Sequence, residues 1–65
     1  MNFKEVYKNL TSQVVYVKDA ADEHDLAVYQ IPYLGANLST PYDDYLVTSI
    51  SRENNGTIVY ILTDD

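Results

Sequence analysis

Between Tyr45 and Thr63 the chain carries two runs dense in β-branched and aromatic residues, Tyr45-Leu46-Val47-Thr48-Ser49-Ile50-Ser51 and Thr57-Ile58-Val59-Tyr60-Ile61-Leu62-Thr63, joined across Asn54-Asn55-Gly56. Such residues pack well on a pleated surface, so the segment reads as two antiparallel strands, 45–51 and 57–63, closed by a tight turn. Two registers are open. A two-residue turn at Asn55-Gly56 sets Ile50 opposite Ile61. A type I turn with Gly56 as a left-handed bulge puts Leu46, Thr48 and Ile50 on one face with Ile58, Tyr60 and Leu62, and this second register is preferred because it leaves the other face mixed. Either way Gly56 is expected at positive φ, where a β-carbon would clash.

At 65 residues without cysteine, the chain is read as one domain, 1–65, at the lower limit for a core that needs no staple. Its apolar content of 46% argues for folding despite the net charge of −6. Ahead of the hairpin, Asn2 and Glu5 match a capping box, and Phe3, Val6, Tyr7 and Leu10 follow helical spacing, predicting an amphipathic helix over 3–11 with Lys4 and Lys8 outward. Val14–Lys18 reads as a strand apolar on both faces, hence central or covered. Leu26–Ile31 is a second strand that must lie at an edge or stop before Pro32. Residues 33–43 hold Gly35, Asn37, Ser39, Thr40 and Pro41, the chemistry of a long loop, with Leu34, Leu38 and Tyr42 folding it back over the sheet.

The expected architecture is therefore α+β, in the order α-β-β-β-β: a short N-terminal helix on a four-stranded antiparallel meander, with a small half-open barrel as second choice. One short helix cannot cover four strands, so one sheet face is expected to lie open as a possible contact surface.

Ten acidic against four basic side chains exclude the electrostatics of direct nucleic-acid or anionic-membrane binding. Charged partners are expected to be basic proteins. No apolar leader or membrane-length run is read in the sequence, and the default compartment is the cytosol, of a cell or of an infected host cell. The Asn9, Asn37 and Asn55 glycosylation patterns carry no weight without a secretory route. Catalysis finds little support: His24 is the single histidine, no thiol exists, and no serine sits in a nucleophile turn. The two glycines form no phosphate cradle, and no cofactor is expected. Asp19, Asp22, Glu23, His24 and Asp25 offer donor atoms for a cation but lack calcium-loop spacing, so no metal site is assigned.

What stands out is the pairing of acids with tyrosines, which supply rigid contact area with a polar tip. Asp19, Asp22, Glu23 and Asp25, together with Tyr42, Asp43, Asp44 and Tyr45, are the candidate partner-binding residues, with Asp64-Asp65 adding charge. The functional expectation is a non-catalytic binding or regulatory protein for a basic partner, in its sharpest form an inhibitor imitating nucleic-acid charge. The alternative is a homo-oligomeric subunit, a homodimer for instance, paired through the open sheet face or an edge strand.

Overall fold

The computed structural model describes residues 1–10, 13–31 and 39–63. One helix, α1 (Phe3–Tyr7), precedes four strands, β1 (Gln13–Asp19), β2 (Asp25–Ile31), β3 (Val47–Glu53) and β4 (Gly56–Ile61). The α+β class and element order are as expected, and the sheet is open.

The helix starts where the capping box predicts. The Asn2 side chain accepts from Glu5 N–H, and the Glu5 carboxylate accepts from Asn2 N–H, both at 2.9 Å. Phe3, Val6, Tyr7 and Leu10 are buried while Lys4 and Lys8 face outward. The regular helix ends at Tyr7, short of the expected residue 11. Beyond it Asn9 and Leu10 donate to the carbonyls three residues back, at Val6 and Tyr7, tightening the last turn and still delivering Leu10 to the core.

The sheet order is β2-β1-β4-β3, with β1 and β4 parallel at the centre and an antiparallel pair on either side. This corrects the all-antiparallel meander. Residues 39–46 pack beside the helix and lead into β3 at the far edge, so that β4, returning through the hairpin, inserts beside β1. The physical reason lies in composition: β1 and β4 bury every second side chain, Val15, Val17, Val59 and Ile61 among them, whereas β3, with Thr48, Ser49, Ser51, Arg52 and Glu53, buries none and tolerates an edge.

Register is corrected as well. Glu53 pairs with Gly56, so the turn residues are Asn54 and Asn55, and Ile50 lies opposite Val59 rather than sharing a face with Ile58. Gly56 has φ +149°, positive as expected but far from the left-handed helical value. A β-carbon there would stand 2.2 Å from the Val14 carbonyl oxygen, so the glycine lets β4 approach β1 at the start of the parallel pair.

Alternation then defines two faces. Val15, Val17, Thr57, Val59, Ile61 and Ile31 point toward the helix and form the core with its four apolar residues. Thr57 satisfies its buried hydroxyl on Gln13 Oε1 at 2.6 Å. On the opposite face Tyr16 pairs with Val28 and with Ile58, and Ile58 with Ser51, giving a row that crosses all four strands. Among the described residues, no helix is long and apolar enough to cross a membrane.

Candidate functional site

Strand direction determines where the acids gather. β1 ends and β2 begins at the turn 19–25; β4, parallel to β1, ends beside it, where Ala20 N–H donates to Ile61 O at 2.8 Å. Val47, at the start of β3, pairs with Ile61, and Leu46 bridges to Asn2. Both acidic segments named from sequence, 19–25 and 42–45, therefore approach the same end of the sheet. The other end carries Gln13, Gln30, Arg52, Glu53, Asn54 and Asn55, which is nearly neutral.

Within the first segment the acids divide by role. Asp19 is buried, and its carboxylate accepts Ala21 N–H at 2.7 Å and the Thr63 hydroxyl, tying β1 to the end of β4. Thr63 and Ala21 hold the Asp19 carboxyl below the usual carboxylate range. It is structural. Asp22 Oδ1 accepts His24 N–H at 3.1 Å and meets His24 Nδ1 at 2.5 Å, which lowers the Asp22 pKa and raises that of His24. Glu23 is held at φ 63°, a conformation few side chains adopt, by the closed ring of hydrogen bonds Glu23 N–H to Asp19 O and Asp19 N–H to His24 O. Asp25 is exposed and pairs with Lys18 at 3.1 Å.

The second segment is wound around the start of the helix. Phe3 N–H donates to Tyr45 O and Lys4 N–H to Asp43 O, each at 3.0 Å, so this segment satisfies donors that the helix leaves free. Thr40-Pro41-Tyr42-Asp43 closes one turn: Thr40 Oγ1 accepts Tyr42 N–H and donates to Asp43 Oδ1, which also accepts Thr40 N–H. The Tyr7 hydroxyl donates to the same Oδ1 at 2.7 Å. Burial works to raise the Asp43 pKa, but the donors from Tyr7 and Thr40 outweigh it and the net shift is downward. Tyr7 is in turn pushed up to about 12 by burial and by the Asp43 carboxylate. Tyr42 packs on the core and meets Tyr45 edge to face at 5.7 Å.

Of the eight candidates, then, Asp19 and Asp43 are internal fasteners and Tyr42 is half-buried. Asp22, Glu23, Asp25, Asp44 and Tyr45 remain exposed. The carboxylates of Glu23 and Asp44 make no hydrogen bond or ion pair among the described residues, so none of those residues occupies their charges. Asp64-Asp65, Leu34 and Leu38 lie outside the described residues.

Asp19, Asp22 and His24 bring donor atoms within 4.8 Å of one another. Their hydrogen bonds already serve the turn itself, since Asp19 is occupied by Thr63 and Ala21 and Asp22 by His24. The turn geometry is explained without an ion.

Two surfaces had no residue named for them in the sequence. One is a groove of about 470 Å³ between the helix and β3, lined by Met1, Val6, Leu10, Ile50 and Arg52 among others. The other is the row Val28, Tyr16 and Ile58 with Val14 and Tyr60 beside it, on which no described element packs. Strand alternation is the signal for the second, and it becomes readable only once β1 and β4 are known to be neighbours. Comparison with protein-family models, with curated proteins and with solved structures finds no match to this chain.

Proposed function

We propose that the protein is a non-catalytic binding module whose acidic end engages a basic surface on a protein partner. The observation that carries this reading is the convergence of the 19–25 turn and the 42–45 segment on one end of the sheet. There Asp22, Glu23, Asp25 and Asp44 stand out with Tyr45, over a base fastened by Asp19 and Asp43. A fixed base matters physically, because carboxylates held on ordered backbone lose less freedom on binding than carboxylates on a floppy loop. Exposed charges of one sign also steer an oppositely charged partner into encounter. In its sharpest form the partner is a nucleic-acid-binding protein, whose phosphate sites would accept the carboxylates.

The test is affinity capture from the native host with the wild-type chain beside Asp22→Asn/Glu23→Gln/Asp44→Asn. The reading expects a discrete protein that is retained by wild type, released by raised salt, lost with the neutralised variant and displaced by nucleic acid in the sharper case. Retention of the same protein by the variant, with its fold intact by circular dichroism, would refute it.

A further inference from the structure

β3 is an edge strand, and its outer side is only partly taken up. At its start Val47 N–H donates to Met1 O at 2.9 Å and Asn2 bridges Leu46 antiparallel, so Met1-Asn2 lies along the edge as a short added strand. Beyond Met1 the edge is bare. Glu53 and Gly56 flank a two-residue turn and therefore exchange hydrogen bonds; alternation then directs the backbone groups of Ser51 to β4 and those of Ile50 and Arg52 outward. No described residue pairs with these outward groups. Ile50 lies opposite Val59 and Arg52 opposite Thr57, both buried under the helix, so Ile50 and Arg52 stand two residues apart on the helix-bearing face. They form one wall of the groove of about 470 Å³, and Val6 and Leu10 form the other. Ile50 is 42% exposed. Arg52 is exposed and makes no hydrogen bond or ion pair among the described residues, while Glu5, which also lines the groove, already accepts Asn2 N–H at 2.9 Å.

We infer that this edge and its groove take an extended segment of a partner protein with the pattern acidic-x-aliphatic, added antiparallel to β3 as Met1-Asn2 already is. Its backbone completes the bonds of Ile50 and Arg52, in a mode where main-chain bonds give affinity and alternate side chains give specificity. Directly opposed residues of an antiparallel pair share a face, so the aliphatic side chain opposite Ile50 enters the groove against Leu10. The carboxylate two residues earlier in the segment then meets Arg52, whose guanidinium offers a fork of N–H donors matched to it. Charge selects this occupant over a second copy. The outward positions of β3, Ile50 and Arg52, carry no acid, and Glu53, the one acid of the strand, is paired with Gly56 and accepts the Ser51 hydroxyl. Two β3 edges brought together therefore leave Arg52 without a carboxylate. None of the exposed acids of the proposed partner site takes part, so failure of either reading leaves the other standing.

Titration of the blocked peptide acetyl-Thr-Glu-Thr-Leu-Thr-amide into the full isotope-labelled chain, followed by nuclear magnetic resonance, tests it. The expected result is saturable shifts centred on the Ile50, Arg52 and Leu10 amides, with a dissociation constant of roughly 1 mM. Exchanging Glu and Leu within the peptide is expected to weaken binding to the wild-type chain at least about fivefold, because the carboxylate then falls opposite Ile50. Arg52→Glu, at an exposed edge position, is expected to cause the same loss with the spectrum otherwise unchanged, and to bind instead the peptide that carries Lys in place of Glu. Absence of saturable shifts up to about 10 mM peptide overturns the inference. So does equal binding by Arg52→Glu or by the exchanged peptide, and so do shifts centred on the 19–25 turn. Shifts of Ile50 and Arg52 that grow with protein concentration in the absence of peptide overturn it too, since they assign the edge to a second copy.

Discussion

Tyr7→Phe is the substitution that most directly tests how the acidic end is anchored. The ring stays, with its edge-to-face contact to Phe3 at 5.0 Å, and only the hydroxyl that donates to Asp43 Oδ1 at 2.7 Å is lost. A hydrogen bond to a charged group contributes about 1.5–3 kcal/mol, and the lower part of that range applies because Asp43 keeps both Thr40 donors. The expected loss at pH 7 is about 1–2 kcal/mol. Its pH dependence follows from the two shifts. Tyr7 is neutral in the fold and its pKa is raised from 10.0 to about 12, so its contribution is complete below pH 10 and declines as pH rises toward 12. Asp43 is lowered, so its contribution is complete above the ordinary carboxylate range and declines as pH falls through it. The stability gap between wild type and Tyr7→Phe should therefore be widest from about pH 5 to 10 and narrow on both sides. Urea unfolding followed by far-ultraviolet circular dichroism at intervals across that range measures it. A gap below about 0.5 kcal/mol at pH 7, or one that grows between pH 10 and 11.5, would refute the reasoning.

Two further substitutions test the frame on which that end is carried. Gly56→Ala must find room for a β-carbon 2.2 Å from a backbone oxygen at φ +149°, so a loss of at least about 2 kcal/mol is expected, and an unchanged melting temperature would contradict the close approach of β4 to β1. Leu10→Ala removes a buried side chain that the final turn after the helix delivers to the core; denaturant unfolding should show a loss of about 2–3 kcal/mol, and rapid amide exchange through residues 4–8 in the wild type would contradict a docked helix.

The parts of the fold legible in the sequence are those set by local chemistry. Asn2 and Glu5 announce the helix start, the 3-6-7-10 spacing names its buried stripe, and Gly56 marks the hairpin, because each depends on residues within one turn of one another. What escaped was non-local. Neighbour preference favours a meander, yet insertion of β4 beside β1 joins runs forty residues apart: Val15 and Val17 are fully buried with Val59 and Ile61 at the centre, and no residue of β3 is buried. The register slipped for a smaller reason. Asn-Gly is a strong two-residue turn signal and a left-handed glycine bulge a familiar alternative, but the close approach to Val14 selects a glycine conformation outside both, and the turn moves back to Asn54-Asn55.

The candidate site divides along the same line. Asp43 reads in sequence as one more surface acid, although Thr40-Pro41-Tyr42-Asp43 has the spacing of a capping box and already points to a local fastening role. Its third donor, the Tyr7 hydroxyl, lies thirty-six residues away and has no local signature. Asp19 is tied in the same way to Thr63, forty-four residues on. These two long-range bonds change what the acidic cluster is. Had all six carboxylates of the two segments been solvated, their mutual repulsion would only have cost stability, and any binding role would have rested on charge alone. With two of them consumed in fastening the turn and the helix collar, the exposed ones stand on ordered backbone at one end of the sheet. The charge that remains is therefore directional, and it is that directionality, rather than acidity as such, that a binding partner would read.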